Sequence, residues 1–197
     1  FCAANPALGA RVNVEGTINI LEIAKEANIK RTVYASSVAA LGMPPKGPWK
    51  ETLYGAYKLA NEHTAFVYWA DWQVPSIGIR PNIVYGLARD QGMSSKNTVA
   101  IQAAVLDKSY KIPYTGKYSW LYAGEAALAF ITSVSNDMVG SNVFNLNGSC
   151  ETIENGLKLI KELKPNSSVT CEGQPLPFPP DLDDLPLRKY IGDYTSV

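Results

Sequence analysis

The amino-acid sequence predicts an α/β fold built on a parallel sheet, followed by a smaller and less regular α+β lobe. Up to Gly86, short apolar runs typical of buried strands alternate with segments of helical periodicity. Alternating strands and helices imply right-handed crossovers, and these join parallel strands. After Gly86 the elements become short and their order changes. We therefore place a boundary there. Residues 1–86 form the sheet domain, and residues 87–197 form mostly the lobe.

Apolar spacing and turn residues define each element of the sheet domain. Val14, Ile18 and Leu21 recur at helical spacing, and Asn28 ends that helix. Pro81 ends the last strand. The predicted elements are, in order, helix 10–27, strand 31–37, a Pro- and Gly-rich loop at 42–49, helix 54–72 and strand 75–79.

The lobe is predicted from shorter patterns. Thr152 is a good N-cap for its last helix, and Glu154 lies in the first turn of that helix. The predicted elements are helix 96–107, strands 109–113 and 118–122, helix 124–135, strand 142–146, helix 152–163 and a Pro-rich stretch at 175–180.

Composition excludes several classes of protein. Hydrophobic residues make up 46% and charged residues 18%, a globular balance. Lys+Arg and Asp+Glu both number 18, so no excess of positive charge indicates a nucleic-acid partner. The 3 cysteines are too few and too irregularly spaced for a disulfide scaffold or a zinc site, which indicates a reducing cytoplasm and no metal. No apolar run is long enough to span a bilayer.

Tyr54 and Lys58 carry the strongest chemical signal. Four residues apart on one helix, they share a face, and an ammonium near a phenol lowers the phenol pKa from about 10. A tyrosine tuned in this way acts as a general acid and base at a substrate hydroxyl. Ser36 and Ser37 end the preceding strand, where open parallel sheets bind ligands. The pair alone also fits an ordinary surface contact, so the order of the motifs adds the weight.

That order resembles the extended short-chain dehydrogenases/reductases, the NAD-dependent epimerase/dehydratase family, over nearly the whole chain. The matching segments are Phe1-Cys2-Ala3-Ala4 (the end of the family's fourth strand), Asn13-Val14-Glu15-Gly16-Thr17, Val33–Ser37 with Gly42, Tyr54 with Lys58, Arg80–Gly86, and Asn142–Asn145 (a strand of the substrate lobe). Glu125 and Leu41 replace the family's usual Asp and Tyr. The family's Gly-rich phosphate loop is absent, and the chain begins at Phe1 without an initiator Met, so we expect the N-terminal strands to be missing.

The resemblance implies a Rossmann-like parallel sheet and a catalytic triad of Ser37, Tyr54 and Lys58, with Ser37 preferred to Ser36 by its register to Gly42. The implied cofactor-binding residues are Cys2, Ala3, Ala4, Asn13, Ser37, Tyr54, Lys58, Pro81, Asn82, Ile83 and Val84. The implied substrate-binding residues are Arg89, Ser94, Ser95 and Lys117. Three alternatives stay open: Asn13 as a helix N-cap, Lys117 in a hairpin turn, and a solvated loop around Arg89.

The resemblance also implies a cytoplasmic NAD(P)-dependent epimerase or oxidoreductase, homodimeric when full length. NAD is favoured over NADP, and the substrate is a sugar or a nucleotide sugar. Val38-Ala39 stand where dehydratases carry Asp-Glu, which disfavours dehydration. Two alternatives remain: a dehydrogenase of a free sugar acid or polyol, and a non-catalytic fragment that keeps the fold. The 197 residues alone are not expected to be active.

Overall fold

A computed structural model of the protein describes residues 1–43, 49–137 and 139–195. The helices are α1 (Pro6–Ala10), α2 (Gly16–Glu26), α3 (Leu53–Trp72), α4 (Lys96–Val105), α5 (Ala123–Ser135), α6 (Ile153–Leu163) and α7 (Leu185–Ile191). The strands are β1 (Thr32–Ala35), β2 (Ser76–Pro81), β3 (Val84–Tyr85), β4 (Tyr110–Ile112), β5 (Lys117–Tyr122), β6 (Ser141–Leu146), β7 (Ser149–Thr152) and β8 (Val169–Cys171). A π-helical turn (Arg11–Glu15) joins α1 to α2, and a 3-10 turn (Val38–Gly42) follows β1.

The central sheet is parallel, as predicted, with strand order β1-β2-β6. Alternate residues of each strand face opposite layers. Val33 faces a core formed with α5 and α7, whereas its neighbour Tyr34 packs on the core between α2 and α3. Helices therefore cover both faces of the sheet, which is why the first four residues of β2, Ser76–Ile79, are all buried. Ile77 and Ile79 are almost completely buried.

The lobe has its own core, built where β5 pairs with β3 on one side and with β7 on the other. A second pair, β4 with β8, flanks it. Ile83, Tyr118 and Ile153 are buried in this core. The sequence analysis does not predict β7, β8 or α7, because such short elements have little periodicity.

Helix ends follow the side-chain chemistry of the sequence. The hydroxyl of Thr152 accepts a hydrogen bond from Asn155 N at 3.1 Å, which confirms the predicted cap of α6. Thr52 caps α3 in the same way through Gly55 N. Asn28 follows α2 with φ 53°, the left-handed conformation that commonly ends a helix.

Three expectations need correction, and a fourth concerns residues that are mostly not described. The strand at Asn142–Asn145 is not part of the lobe, because β6 pairs with β2 in the central sheet. The chain thus returns to the sheet after Gly86. Residues 1–4 form a turn closed by Ala4 N and Asn5 N on Phe1 O, not a strand end. Asn13 lies inside the helical run and caps no helix. Most of the predicted loop at 42–49 lies outside the described residues.

Within the described ranges, no helix combines the length and the hydropathy needed to cross a membrane.

Candidate active site

A cleft of about 350 Å³ opens at the carboxyl ends of β1 and β2. This is the edge of an open parallel sheet where ligands bind. Its lining comes from five parts of the chain: the end of β1 with the turn after it, the start of α3, the end of β2, and two segments of the lobe. The lining residues are Ala35, Ser36, Ser37, Val38, Ala39, Tyr54, Pro81, Asn82, Ile83, Val84, Arg89, Met93, Ser94 and Phe178.

Ser37 reaches this cleft because the backbone turns sharply after β1. It is the N-cap of the 3-10 turn, and its Oγ accepts a hydrogen bond from Ala39 N at 3.2 Å. The first turn of α3 packs directly on this turn, since a Cβ on Gly55 would overlap the carbonyl oxygen of Ala39. That close approach brings Tyr54 beside Ser37. Glycine at position 55 is therefore a packing requirement of the site.

Tyr54 shares the cleft with Ser37, and its side chain is 38% exposed. Burial raises the pKa of the phenol, and the hydrogen bond with the Ser37 hydroxyl partly opposes this rise. The charge of Arg89 also lowers the pKa, to a smaller extent. The expectation of a lowered pKa set by Lys58 is wrong for this structure, because desolvation has the largest effect.

Lys58 lies next to Tyr54 but opens onto a second cavity. Its Nζ donates to the carbonyl oxygen of Ala35 at 2.8 Å and lies 5.4 Å from the centroid of the Tyr54 ring. Burial lowers the pKa of Lys58. The second cavity, of about 560 Å³, is lined by Lys58 together with Asn13 and Thr17. Ser37 and Tyr54 therefore face one cavity and Lys58 the next, at the end of the same strand.

Asn13 lies in the π-helical turn, a local widening of the helix that is frequent at functional sites. Its Nδ2 donates to Gly9 O at 2.9 Å and contacts Cys2 Sγ at 3.8 Å. Cys2 is buried, whereas Ala3 and Ala4 are exposed. Of the three predicted residues before α1, Cys2 alone is thus tied to the helix that carries Asn13.

A buried carboxylate connects the elements of the site. Glu62, one turn after Lys58 on α3, accepts hydrogen bonds from Arg80 Nε at 2.7 Å and Arg80 Nη2 at 2.5 Å. It also accepts the hydroxyl of Ser36. Ser36 is thereby committed to a structural bond, which leaves the hydroxyl of Ser37 as the one at the cleft. The sequence analysis missed this network, although Glu62 is four residues from Lys58.

The segment after β2 is held by an amide. Asn82 is buried and its Nδ2 donates to Asn147 Oδ1 at 2.9 Å and to Pro179 O at 3.1 Å. Its Oδ1 accepts from Ile83 N at 3.0 Å. Asn82 therefore fixes the wall that Pro81 and Val84 present to the cleft.

Arg89 and Ser94 line the cleft from the lobe. The Arg89 guanidinium donates to Gln91 O and lies 3.5 Å from Ser94 Oγ. Among the described residues of the lining, Arg89 is the one charged side chain. The cleft is thus positively charged at the side where the lobe meets it.

Two predicted substrate contacts lie elsewhere. Ser95 is fully buried and its Oγ donates to Gly92 O at 3.0 Å, so it supports the loop and does not face the cleft. Lys117 begins β5 after the turn at Gly116 and is exposed near Glu151, away from the cleft lining. The structure therefore places neither residue in the lining of this cleft, and the alternative of a turn residue describes Lys117 better.

Comparison of the sequence with models of known protein families identifies the family of this chain. The model of the NAD dependent epimerase/dehydratase family matches residues 2–146. The chain belongs to this family. It is an enzyme family, and the match includes Ser37, Tyr54 and Lys58.

Individual relatives align with different lengths of this chain. An uncharacterized protein of Methanocaldococcus jannaschii is 37% identical over 94 residues, 44% of this chain and 29% of that protein. The UDP-glucose 4-epimerase of Mycolicibacterium smegmatis is 26% identical over 192 residues, 92% of this chain and 60% of that protein. This chain therefore spans less than two thirds of the length of these curated relatives.

The fold agrees with solved structures of the family. An L-threonine dehydrogenase from Clostridium difficile superposes with a TM-score of 0.86 at 21% identity, covering 100% of this chain and 68% of that chain. This similarity establishes the Rossmann-like fold.

The family depends on NAD(P), and the residues at the second cavity can be compared with what such a cofactor needs. An ammonium has three donors, and Lys58 uses one on Ala35 O, so it retains donors for ribose hydroxyls at the second cavity. The printed sequence contains no Gly-rich phosphate loop. These residues therefore suit the nicotinamide and ribose end of a dinucleotide.

Proposed function

We propose that this chain forms the catalytic and substrate-facing part of an NAD(P)-dependent enzyme that oxidises a hydroxyl-bearing carbon of a sugar or nucleotide sugar. The observation that carries the proposal is that the hydroxyls of Ser37 and Tyr54 meet in one cleft, with Lys58 beside them. The UDP-glucose 4-epimerase among the relatives supports a nucleotide sugar as substrate.

Each residue has a distinct task in the proposed reaction. Tyr54 takes the proton from the substrate hydroxyl as the carbon loses a hydride, and returns it when the reaction reverses. Ser37 donates a hydrogen bond to the same substrate oxygen and keeps it beside the phenol. Lys58, whose Nζ lies beside the Tyr54 ring, holds ribose hydroxyls of the cofactor. Bound NAD(P), with NAD favoured, supplies the hydride acceptor.

The final product depends on the step after oxidation. Return of the hydride to the other face of the same carbon gives epimerisation, and release of the oxidised product gives a dehydrogenase. We propose epimerase or oxidoreductase activity on this basis.

A second candidate is a dehydrogenase of a free sugar acid. Arg89 favours it, because a guanidinium binds a carboxylate in a bidentate manner as readily as a phosphate. The L-threonine dehydrogenase among the structural neighbours also supports it, since L-threonine carries a carboxylate. A panel that contains both substrate types separates the two candidates.

We also propose that the full-length protein is cytoplasmic and dimeric. Exposed apolar side chains on α1 and α3, such as Leu8 (47% exposed) and Phe66 (60% exposed), support a contact with a second copy.

The test compares two tyrosines of one helix. Tyr54→Phe removes the hydroxyl at the cleft, and Tyr57→Phe removes one that donates to Pro6 O away from it. In the full-length protein, with UDP-sugars, dTDP-sugars and free sugar acids, Tyr54→Phe should lower the turnover rate about 10²–10⁴-fold. Tyr57→Phe should keep it. NAD(P)H absorbance and product stereochemistry are followed together. Full activity of Tyr54→Phe on a substrate of the parent enzyme would exclude the mechanism.

A further inference from the structure

The Pro-rich segment near the C-terminus contributes an aromatic wall to the catalytic cleft. Phe178 lines the cleft together with Tyr54 and Met93, although it lies more than 120 residues along the chain from Tyr54. The sequence resemblance assigns no function to this segment. The structure brings it to the end of β2 and to the residues just before α3.

Backbone bonds on both sides hold Phe178 in place. Pro177 O accepts a hydrogen bond from Lys50 N at 3.2 Å, just before α3. Pro179 O accepts from Asn82 Nδ2 at 3.1 Å, at the end of β2. The segment is thus tied to the two elements that present Tyr54 and the 81–84 wall.

Proline adds rigidity at the same place. Pro177 and Pro179 have a fixed φ, and Phe178, as the residue before a proline, is restricted to an extended backbone. Three positions after Phe178, Asp181 accepts a hydrogen bond from Asn147 Nδ2 at 2.7 Å. Little conformational entropy remains to be lost when a ligand contacts the ring, and this favours binding.

Phe178 belongs both to the lobe core and to the lining of the cleft. Phe178 packs against the lobe core that contains Ile83 and Tyr114. It is only half-buried, and it is part of the cleft lining. Met93 extends this apolar surface, whereas Ser37, Tyr54 and Arg89 supply the polar groups of the same cleft. The lining therefore combines apolar and polar groups.

We propose that Phe178 contacts the apolar C–H face of the substrate's sugar ring, and that this contact selects cyclic sugars. A sugar ring presents polarised C–H bonds on one face and hydroxyls around its edge. The negative face of an aromatic ring attracts such C–H groups, while the hydroxyl edge meets Ser37 and Tyr54. An open-chain alcohol offers no flat C–H face. This inference rests on the proposed function, because it takes the substrate to be a sugar.

The experiment uses side-chain replacements at position 178 in the full-length protein. Phe178→Ala should lower kcat/KM for a cyclic UDP-sugar about 10- to 100-fold, mainly through KM, because the contact is made in the ground state and in the transition state. Phe178→Tyr and Phe178→Trp keep a ring face and should retain most of the activity. Phe178→Leu keeps apolar volume without a ring face and should stay close to Phe178→Ala.

A matched control lies two residues away. Leu176 packs on the same lobe core but is not part of the cleft lining. Leu176→Ala should lower the melting temperature without changing kcat/KM for the sugar by more than about twofold. The KM for NAD(P) should stay within about twofold in all the variants, because a loss that extended to the cofactor would mean a general disturbance of the fold.

The outcomes separate this inference from the proposed function. If the parent enzyme turns over no cyclic sugar, both fail. If it does turn them over, but Phe178→Ala keeps its kcat/KM or Phe178→Leu matches the parent enzyme, the ring contact is overturned while the proposed function stands. An equal fall in sugar and cofactor affinity also overturns the contact and leaves Phe178 a structural residue.

Discussion

Glu62 offers the sharpest test of how the site is held together. Its carboxylate binds Arg80 through two nitrogens, at 2.7 and 2.5 Å, and accepts the hydroxyl of Ser36. The side chain of Glu62 is 6% exposed and that of Arg80 is 21% exposed. Glu62→Ala removes the carboxylate that accepts from Arg80 Nε, Arg80 Nη2 and the hydroxyl of Ser36. These three donors, which lie on β2 and directly after β1, then lose their acceptor on α3.

The expected loss of stability is a consequence of this burial. Removing one partner of a buried ion pair costs about 3–5 kcal/mol, because the remaining charge has no counter-charge. The hydroxyl of Ser36, which is 2% exposed, also loses its partner, at about 1–3 kcal/mol. The two effects share one carboxylate and are not additive. We expect a decrease of about 3–5 kcal/mol in the free energy of unfolding, a large part of a typical total of about 5–15 kcal/mol.

Denaturation of the full-length protein by urea, followed by fluorescence, measures this change. Glu172→Ala is the matched control, because Glu172 also pairs at 2.5 Å, with Lys111, but both side chains are more than 60% exposed. Water and salt screen such a pair, so its loss should leave the midpoint almost unchanged. Similar midpoints for Glu62→Ala and Glu172→Ala would refute the claim that a buried charge holds the three elements.

Two further predictions concern the site and the sheet. Burial raises the pKa of Tyr54, so the phenol is protonated at neutral pH. The oxidation rate should therefore rise with pH toward that raised pKa. A flat pH profile of kcat/KM from pH 6 to about 10 would contradict this. A protein consisting of residues 1–197 alone should bind NAD(P) weakly, because its sequence contains no phosphate loop. It should also self-associate, because Ile20, Ile23 and Ile131 are exposed around the free side of β1. Calorimetry that showed tight, stoichiometric binding of NAD(P) would overturn this prediction.

The sheet was predictable because its signals are local. Strands buried on both faces give apolar runs, and their alternation with helices leaves a parallel sheet as the expected arrangement. The caps at Thr152 and Asn28 are single-residue signals with a direct physical cause. The same applies to the meeting of Ser37 and Tyr54, since a strand end and a helix start joined by one loop lie close together.

The errors arose where distant parts of the chain decide the structure. A short apolar strand such as β6 pairs equally well in a lobe or in the main sheet, and its pattern does not reveal which. Ser94 and Ser95 are adjacent, yet one lines the cleft and the other is fully buried, because the loop turns between them. The sequence pattern around Phe178 did not predict its position in the cleft. That position depends on hydrogen bonds that Lys50 and Asn82 donate to the prolines on either side of it.

The pair Tyr54–Lys58 shows the same limit within a single turn of helix. The spacing of four residues correctly predicts that both side chains share a face of α3. It does not reveal that a third group competes for the ammonium. The carbonyl oxygen of Ala35, at the end of β1, takes one donor of Lys58 and draws Nζ over the face of the Tyr54 ring. The position of the ammonium therefore depends on where β1 ends, and burial, not Lys58, has the largest effect on the pKa of Tyr54.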